Sequence, residues 1–202
     1  MPAEKHDQSP AALTKCQSCH GPMNSPAFCD HCRSLYPADG LDHFTLLGFE
    51  PTYDLDTATL RRKYLQVSRG VHPDHHGESG TALSLRLSAQ LNEAHRVLAD
   101  PVLRAEYLLE LLGGKSAAED RAVPPNVLSD TLLLREEIAE AKAGGDSHAL
   151  QECATRVHAA YDRTVAQIAD LARRLPGDEA LRHELRMTLN AVKYYQRLSN
   201  EL

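Results

Sequence analysis

The sequence predicts an all-α protein that carries one small cysteine-rich module in front of its helical body. Leu, Ala, Glu and Arg are plentiful, Trp is absent and only 3 of the 202 residues are Phe, a composition that favours helices. Little of the chain alternates apolar and polar residues in the way a half-buried strand does. Four of the 5 cysteines fall within residues 16–32. In a reducing compartment such clustering favours metal binding over disulfides.

The bulk composition narrows the class of protein. Hydrophobic residues make up 42% and charged residues 25% of the chain, which is ordinary for a globular protein. The net charge of -6 disfavours a general nucleic-acid-binding surface. No apolar run approaches the roughly 18 residues that a membrane span needs. The start, MPAEKHDQSP, resembles neither a secretory signal nor a transit peptide. We therefore expect residues 1–12 to be a disordered tail on a cytoplasmic protein.

The cysteine-rich module, residues 13–38, has the spacing of a metal site. Two C-x2-C pairs are separated by nine residues that contain a Gly-Pro and a Ser-Pro dipeptide, and these mark a turning loop that brings the pairs together. Four thiolates suit tetrahedral Zn²⁺ and leave no open position for catalysis. Iron in the same cage is the chemical alternative. The expected ligands are Cys16, Cys19, Cys29 and Cys32, and the histidines beside them, His20 and His31, are expected to face solvent.

A helical hairpin follows the module. Asp56 or Thr57 can cap a first helix that runs to about Gly70. Its apolar arc consists of Leu60, Tyr64, Val67 and Val71. A polar loop, GESG, is expected to precede a second amphipathic helix over residues 81–99. The first helix has four basic residues and no acid, so it forms a local positive surface on an otherwise acidic protein. Such a surface indicates an acidic partner. These basic residues are Arg61, Arg62, Lys63 and Arg69.

The loop between the two helices contains the stretch VHPDHH, residues 71–76. Proline disfavours helix in the residue before it, so we expect His72, Pro73 and Asp74 to form an exposed tip. A metal-dependent hydrolase that uses His72, Asp74, His75 and His76 is the alternative interpretation. A glycine-rich phosphate loop, a serine elbow and an HExxH motif are all missing from the sequence. The pattern therefore favours a recognition tip over a catalytic site.

The C-terminal region predicts a three-helix bundle over residues 127–202. A connector, residues 116–126, precedes helices expected at about 127–142, 147–175 and 178–200. Gly144-Gly145 and Pro176-Gly177 separate these helices, and such short loops favour antiparallel neighbours. Cys153 flanks the apolar stripe of the middle helix, where we expect it to serve in packing.

The first and third helices of this bundle each have two apolar sides. In the first helix Leu134, Ile138 and Ala141 form one side, whereas Leu128 and Leu132 form another beside Glu136. In the third helix the second side consists of Met187, Tyr194 and Leu198. A small bundle needs only one apolar side per helix. The second sides either pack within the protein or form an exposed apolar patch of the kind that binds a partner.

Two runs of the sequence carry a family resemblance. DHFTLLGFEPTYDLDTATLRRKYLQVSRGVHPD and LNEAHRVLADPVLRAEYLLELLG resemble the J domain of the HscB family of iron–sulfur co-chaperones, and LLLREEIAEA resembles that family's LREEL segment. The resemblance covers roughly residues 41–202 and places the J domain at residues 41–115. Some family members also carry a tetracysteine module in front, and FCDHC matches its second knuckle.

The resemblance implies a co-chaperone that is not itself an enzyme. J domains bind a DnaK/HscA-type chaperone and stimulate its ATPase. Carried over by position, the chaperone-binding residues are His72, Pro73, Asp74, Arg61, Arg62, Lys63 and Arg69. His75 stands where a Lys often follows the tripeptide. A J protein that serves another client is the alternative.

The resemblance also assigns a partner to the bundle. HscB proteins use this region to bind the IscU-type scaffold on which iron–sulfur clusters are built. The implied contact residues are Leu128, Leu132, Glu136 and Tyr194. Ser129 and Leu133 also align with contact positions, but their residue types depart from the family pattern.

Overall fold

The computed structural model describes residues 15–202, apart from the side chains of Glu78 and Ser79. The predicted disordered tail, residues 1–12, lies outside the described residues. Within this part of the chain there are helices, one short 3-10 turn and two isolated bridges but no strand, so the predicted all-α class is confirmed. The helices are α1 (His43–Leu46), α2 (Thr57–Gly70), α3 (Gly77–Ala99), α4 (Pro101–Leu111), α5 (Pro125–Gly144), α6 (Ser147–Ala172) and α7 (Glu179–Glu201).

The contacts divide the chain into two compact units, one ending at Asp100 and the other beginning at Pro101. The first contains the cysteine module and helices α1–α3, and the second contains α4–α7. No helix in residues 15–202 combines the length and the apolar character that crossing a lipid bilayer requires.

The hairpin of the first unit forms as predicted. Asp56 caps α2 by accepting a hydrogen bond from the Thr59 backbone N–H at 2.8 Å. The apolar arc of α2 faces the core, where Leu60, Val67 and Val71 are buried. A polar link completes the contact between the helices, since the Tyr64 hydroxyl donates to Asn92 Oδ1 at 2.7 Å.

Helix α3 begins earlier than the sequence indicates. It starts at Gly77, so the prediction of a GESG loop is wrong. The Gly80 backbone N–H bonds to the His76 carbonyl at 3.2 Å, and the Thr81 hydroxyl bonds to the Gly77 carbonyl at 3.0 Å. These bonds satisfy backbone groups within the first turn, and polar residues are compatible with helix there. The connection shrinks to residues 71–76, in which Pro73–His75 form the 3-10 turn.

The predicted three-helix bundle corresponds to α5, α6 and α7, and α4 packs on α6 and α7 within the same unit. One core cluster joins Leu134 and Ile138 of α5, Cys153 and Val157 of α6, and Leu198 of α7. Cys153 is thus part of the core, which confirms the packing role expected of it. Leu198 is fully buried, so part of the second apolar side of α7 packs within the protein.

Candidate functional site

The four clustered cysteines bring their sulfur atoms to metal-binding distance. Cys16 Sγ lies 3.4 Å from Cys32 Sγ, and Cys19 Sγ lies 3.7 Å from Cys29 Sγ. All four sulfur atoms lie within 4.8 Å of one another. Tetrahedral Zn²⁺ with Zn–S bonds of about 2.3 Å places its sulfur ligands about 3.8 Å apart. The cluster therefore fits a single tetrahedral ion, and its thiolate donors suit zinc and iron alike.

The two knuckles of this module repeat the same backbone geometry. The His20 backbone N–H bonds to the Cys16 carbonyl and the Arg33 backbone N–H bonds to the Cys29 carbonyl, each at 2.9 Å. Both closing residues adopt the left-handed conformation, with φ of 60° at His20 and 61° at Arg33. His20 and His31 are exposed, as the sequence indicates.

Tyr36 supports the first knuckle from the side. Its hydroxyl oxygen lies 3.0 Å from Cys16 Sγ and accepts a hydrogen bond from the Gln17 backbone N–H at 3.0 Å. Burial acts to raise the pKa of the Cys16 thiol, but hydrogen bonds led by that of Tyr36 lower it to about 5. A low pKa favours the thiolate, which is the form that binds a metal. Sequence reasoning missed Tyr36 because a lone tyrosine after the last cysteine carries no distinguishing pattern.

The HPD turn, His72, Pro73 and Asp74, exposes its two polar side chains, whereas Pro73 is half-buried. His72 caps the 3-10 turn, with its Nδ1 accepting from the Asp74 backbone N–H at 3.3 Å. The Asp74 carboxylate lies 3.5 Å from the same nitrogen, and the two side chains are 55% and 83% exposed. The turn thus presents an imidazole and a carboxylate to solvent, in the arrangement expected of a recognition tip.

The two histidines that follow the turn differ in their environment. His76 is half-buried, and its Nε2 lies 2.7 Å from the Gly70 carbonyl oxygen at the end of α2. His75 is exposed, with its ring 6.0 Å from that of His72. His76 therefore fastens the loop to α2, a role that the sequence does not reveal. Among the side chains that the structure describes, which leave out Glu78 and Ser79, metal-ligating groups of three or more converge only at the four cysteines.

Most of the basic side chains of α2 are exposed to solvent. Arg61, Arg62 and Arg69 are exposed. Lys63 is half-buried, its ammonium group donates to the Gly48 carbonyl and it lies 4.2 Å above the centre of the Phe49 ring. Three of the four predicted chaperone-binding bases are therefore directed to solvent, while Lys63 is held against the loop before α2.

The second apolar side of α5 is an exposed patch. Leu128 and Leu132 are 45% and 57% exposed, and Glu136 follows at the same spacing of four residues. Tyr194 is half-buried and packs against the cluster that contains Val127. Leu128, Leu132 and Glu136 therefore share an exposed face of α5, and Tyr194 of α7 packs near the start of the same helix. Leu133 is also 57% exposed and widens the apolar surface.

Comparisons with known proteins bear on this arrangement. A family profile described as "HSCB C-terminal oligomerisation domain" matches residues 123–202. The chain is 38% identical over 114 residues to a co-chaperone protein HscB homolog of Ralstonia nicotianae, with 54% of this chain and 65% of the relative covered, which is just under two thirds of that protein. It is 33% identical over 133 residues to the HscB homolog of Vibrio vulnificus, with 63% of this chain and 78% of that one covered.

Two further similarities extend over almost the whole chain. An iron-sulfur cluster co-chaperone protein HscB homolog of Arabidopsis thaliana is 29% identical over 191 residues, covering 93% of this chain and 72% of the relative. The crystal structure of human co-chaperone protein HscB superposes with a TM-score of 0.75 at 25% identity, covering 93% of this chain and 95% of the human one. Together with the fold and the tetracysteine cluster, these similarities show that the chain belongs to the HscB family of co-chaperones.

Proposed function

We propose that this chain is a co-chaperone of iron–sulfur cluster assembly that binds an IscU-type scaffold and stimulates the ATPase of a DnaK/HscA-type chaperone. One observation carries the proposal. The chain presents an exposed HPD turn beside a basic helix in one unit and an exposed apolar patch on α5 in the other. A protein that delivers a client to a chaperone needs two such surfaces.

The first surface would act on the chaperone. Arg61, Arg62 and Arg69 supply positive charge with no acidic residue on α2, and such a patch speeds and orients the approach of an acidic partner. The His72 imidazole and Asp74 carboxylate then stand ready to contact that partner. The bond cleavage takes place in the chaperone, so this chain acts as an activator rather than as an enzyme.

The second surface would hold the scaffold. Leu128 and Leu132 supply exposed apolar area, and Glu136 offers a charge at its edge. Apolar anchors surrounded by polar residues are typical of binding hot spots. Tyr194 adds an aromatic side chain from α7. Release of the cluster from the scaffold would follow when the stimulated chaperone engages it.

The tetracysteine module would hold Zn²⁺ in a structural role. The four cysteine sulfurs fill a tetrahedral coordination sphere and leave no position for a substrate. We assign the ion the task of folding a segment that is too short for its own apolar core.

Scaffold binding tests the choice of client. We expect titration calorimetry with purified IscU-type scaffold to show binding, and Leu132→Ala to weaken it about tenfold, because Leu132 is an exposed apolar anchor. Leu85→Ala on α3 is a matched control, since Leu85 is equally exposed, at 57%, but lies outside the α5 patch. Absence of binding by the unaltered chain would instead favour a general J protein with another client.

A further inference from the structure

A groove of about 280 Å³ lies beside the HPD turn and is shared between the cysteine module and α2. The module contributes Phe28 and Arg33 to its walls, α2 contributes Arg69, and the HPD loop contributes His75. The groove therefore joins the turn and the basic helix to the metal-binding module on one surface of the first unit.

The module wall of this groove is fixed to the helical hairpin. Phe28 is only 6% exposed, and its ring fills the space beside Gly70. A Cβ atom added to Gly70 would come within 2.3 Å of Phe28 Cζ, far inside van der Waals contact. The Phe28 ring thus packs directly against the backbone of Gly70 at the end of α2. This contact places the module side chains next to Phe28 beside the end of α2.

Basic side chains outnumber acidic ones around the groove. Arg33 of the module and Arg69 of α2 are both exposed and line it. Asp30 also borders the groove and keeps its negative charge, because the Asn24 amide that donates to it at 3.0 Å is neutral, so two basic side chains face one acidic one. Arg33 extends the positive surface of α2 across the groove. A partner that meets the basic helix with acidic residues would meet Arg33 with the same chemistry.

The backbone at Arg33 adds a second observation. Arg33 has φ of 61°, a left-handed conformation that is unfavourable for a non-glycine residue. Glycine would close this knuckle without that cost. The chain thus places a long cation in a position that suits glycine, beside the exposed tip.

We propose that the tetracysteine module forms one wall of the chaperone-docking surface and that Arg33 contacts acidic residues of the chaperone next to the HPD turn. This inference rests on the proposed function, because it adds a contact to the same docking event. It also gives the module a purpose beyond its own folding.

The variant Arg33→Gly removes the charge of Arg33 without destabilising the module. Glycine relieves the left-handed backbone and removes the cation, so the variant should fold and retain one metal ion per chain. We expect the Kd for the ATP-bound DnaK-type chaperone, measured by fluorescence anisotropy, to rise about fivefold, and this difference to shrink at high salt because exposed charges are screened. Arg33→Lys keeps the charge and should bind as tightly as the unaltered chain.

His20→Gly is the matched control, because His20 occupies the corresponding left-handed position of the first knuckle and does not line the groove. It should leave both the Kd and the metal content unchanged. Equal affinity of Arg33→Gly and the unaltered chain would overturn the docking role of Arg33 while leaving the proposed function standing. If the unaltered chain fails to bind the chaperone, the proposed function itself fails, and the docking role fails with it.

Discussion

Replacing Cys16 with serine should release the metal and unfold the cysteine module. Cys16 is 1% exposed, and its sulfur lies within 4.8 Å of the other three cysteine sulfurs, so its loss opens the coordination sphere. Metal binding to structural thiolate sites in small zinc fingers contributes about 10–16 kcal/mol to folding. Because so much of the module's stability would depend on one ion, we expect metal analysis by emission spectroscopy to find one ion per unaltered chain and almost none in Cys16→Ser.

Cys153→Ser provides the control for thiol loss. Cys153 is buried in the helical core of the second unit and is not part of the tetracysteine cluster. This variant should keep its full metal content even if the bundle becomes less stable. A Cys16→Ser protein that retains its metal and a folded module would show that the four cysteines do not form the binding site.

The substitution Glu106→Ala should destabilise the second unit by about 3–5 kcal/mol. Arg186 is 1% exposed and donates to Glu106 Oε1 at 2.9 Å, and Lys193 Nζ lies at the same distance from that oxygen. Glu110 pairs with Arg186 Nη1 only at 3.9 Å, a distance at which no hydrogen bond forms. Removing Glu106 therefore leaves the buried guanidinium with this longer ion pair and without its hydrogen-bonded counterion. Urea unfolding monitored by circular dichroism measures the change.

Two further variants test whether the cost of Glu106→Ala comes from the buried charge of Arg186. In Glu201→Ala the exposed Arg135–Glu201 pair is lost, and the expected cost is below about 1 kcal/mol. Adding Arg186→Met to Glu106→Ala removes the buried charge as well and should recover much of the stability. If Glu106→Ala and Glu201→Ala cost the same, the buried pair does not stabilise the unit as we describe.

The same pair predicts a pH dependence. Burial acts to raise the pKa of Glu106, but the contacts with Lys193 and Arg186 outweigh it and lower the pKa in the folded state. Because the folded value lies below the unfolded one, the stabilisation is present above the ordinary pKa of glutamate, about 4.3, and is lost as the pH falls through the folded value. Glu106→Ala should therefore flatten the loss of stability in this acidic range.

Most of the fold follows from periodicity and capping that are visible in the sequence. The first hairpin helix begins after Asp56 as predicted, and the three bundle helices lie within three residues of their expected bounds. The start of α3 was missed because GESG has the composition of a loop, whereas hydrogen bonds to His76 and Gly77 support it as a first helical turn. Local composition does not reveal that these bonds within the first turn form.

The candidate sites also contain some residues that the sequence reveals and others that it does not. The four cysteines and the HPD turn are recognisable from spacing alone, and both are found where the sequence indicates. Tyr36 and His76 make contacts that only the fold brings about, and Arg33 lines a groove that only the fold forms. No local pattern distinguishes them from ordinary tyrosine, histidine and arginine. The sequence does not decide whether the second apolar sides of α5 and α7 are buried or exposed. The two helices differ in this respect, since Leu132 of α5 is exposed and Leu198 of α7 is buried.

The HPD turn is expected to stimulate the ATPase of a partner chaperone. The direct measurement is the steady-state ATPase rate of the DnaK/HscA-type chaperone in the presence of scaffold, with and without this chain. We expect the chain to raise that rate and His72→Gln to abolish the increase, because the substitution removes the exposed imidazole from the turn while the exposed apolar patch on α5 stays intact. An unchanged rate with the unaltered chain, or full stimulation by His72→Gln, would contradict the proposed function.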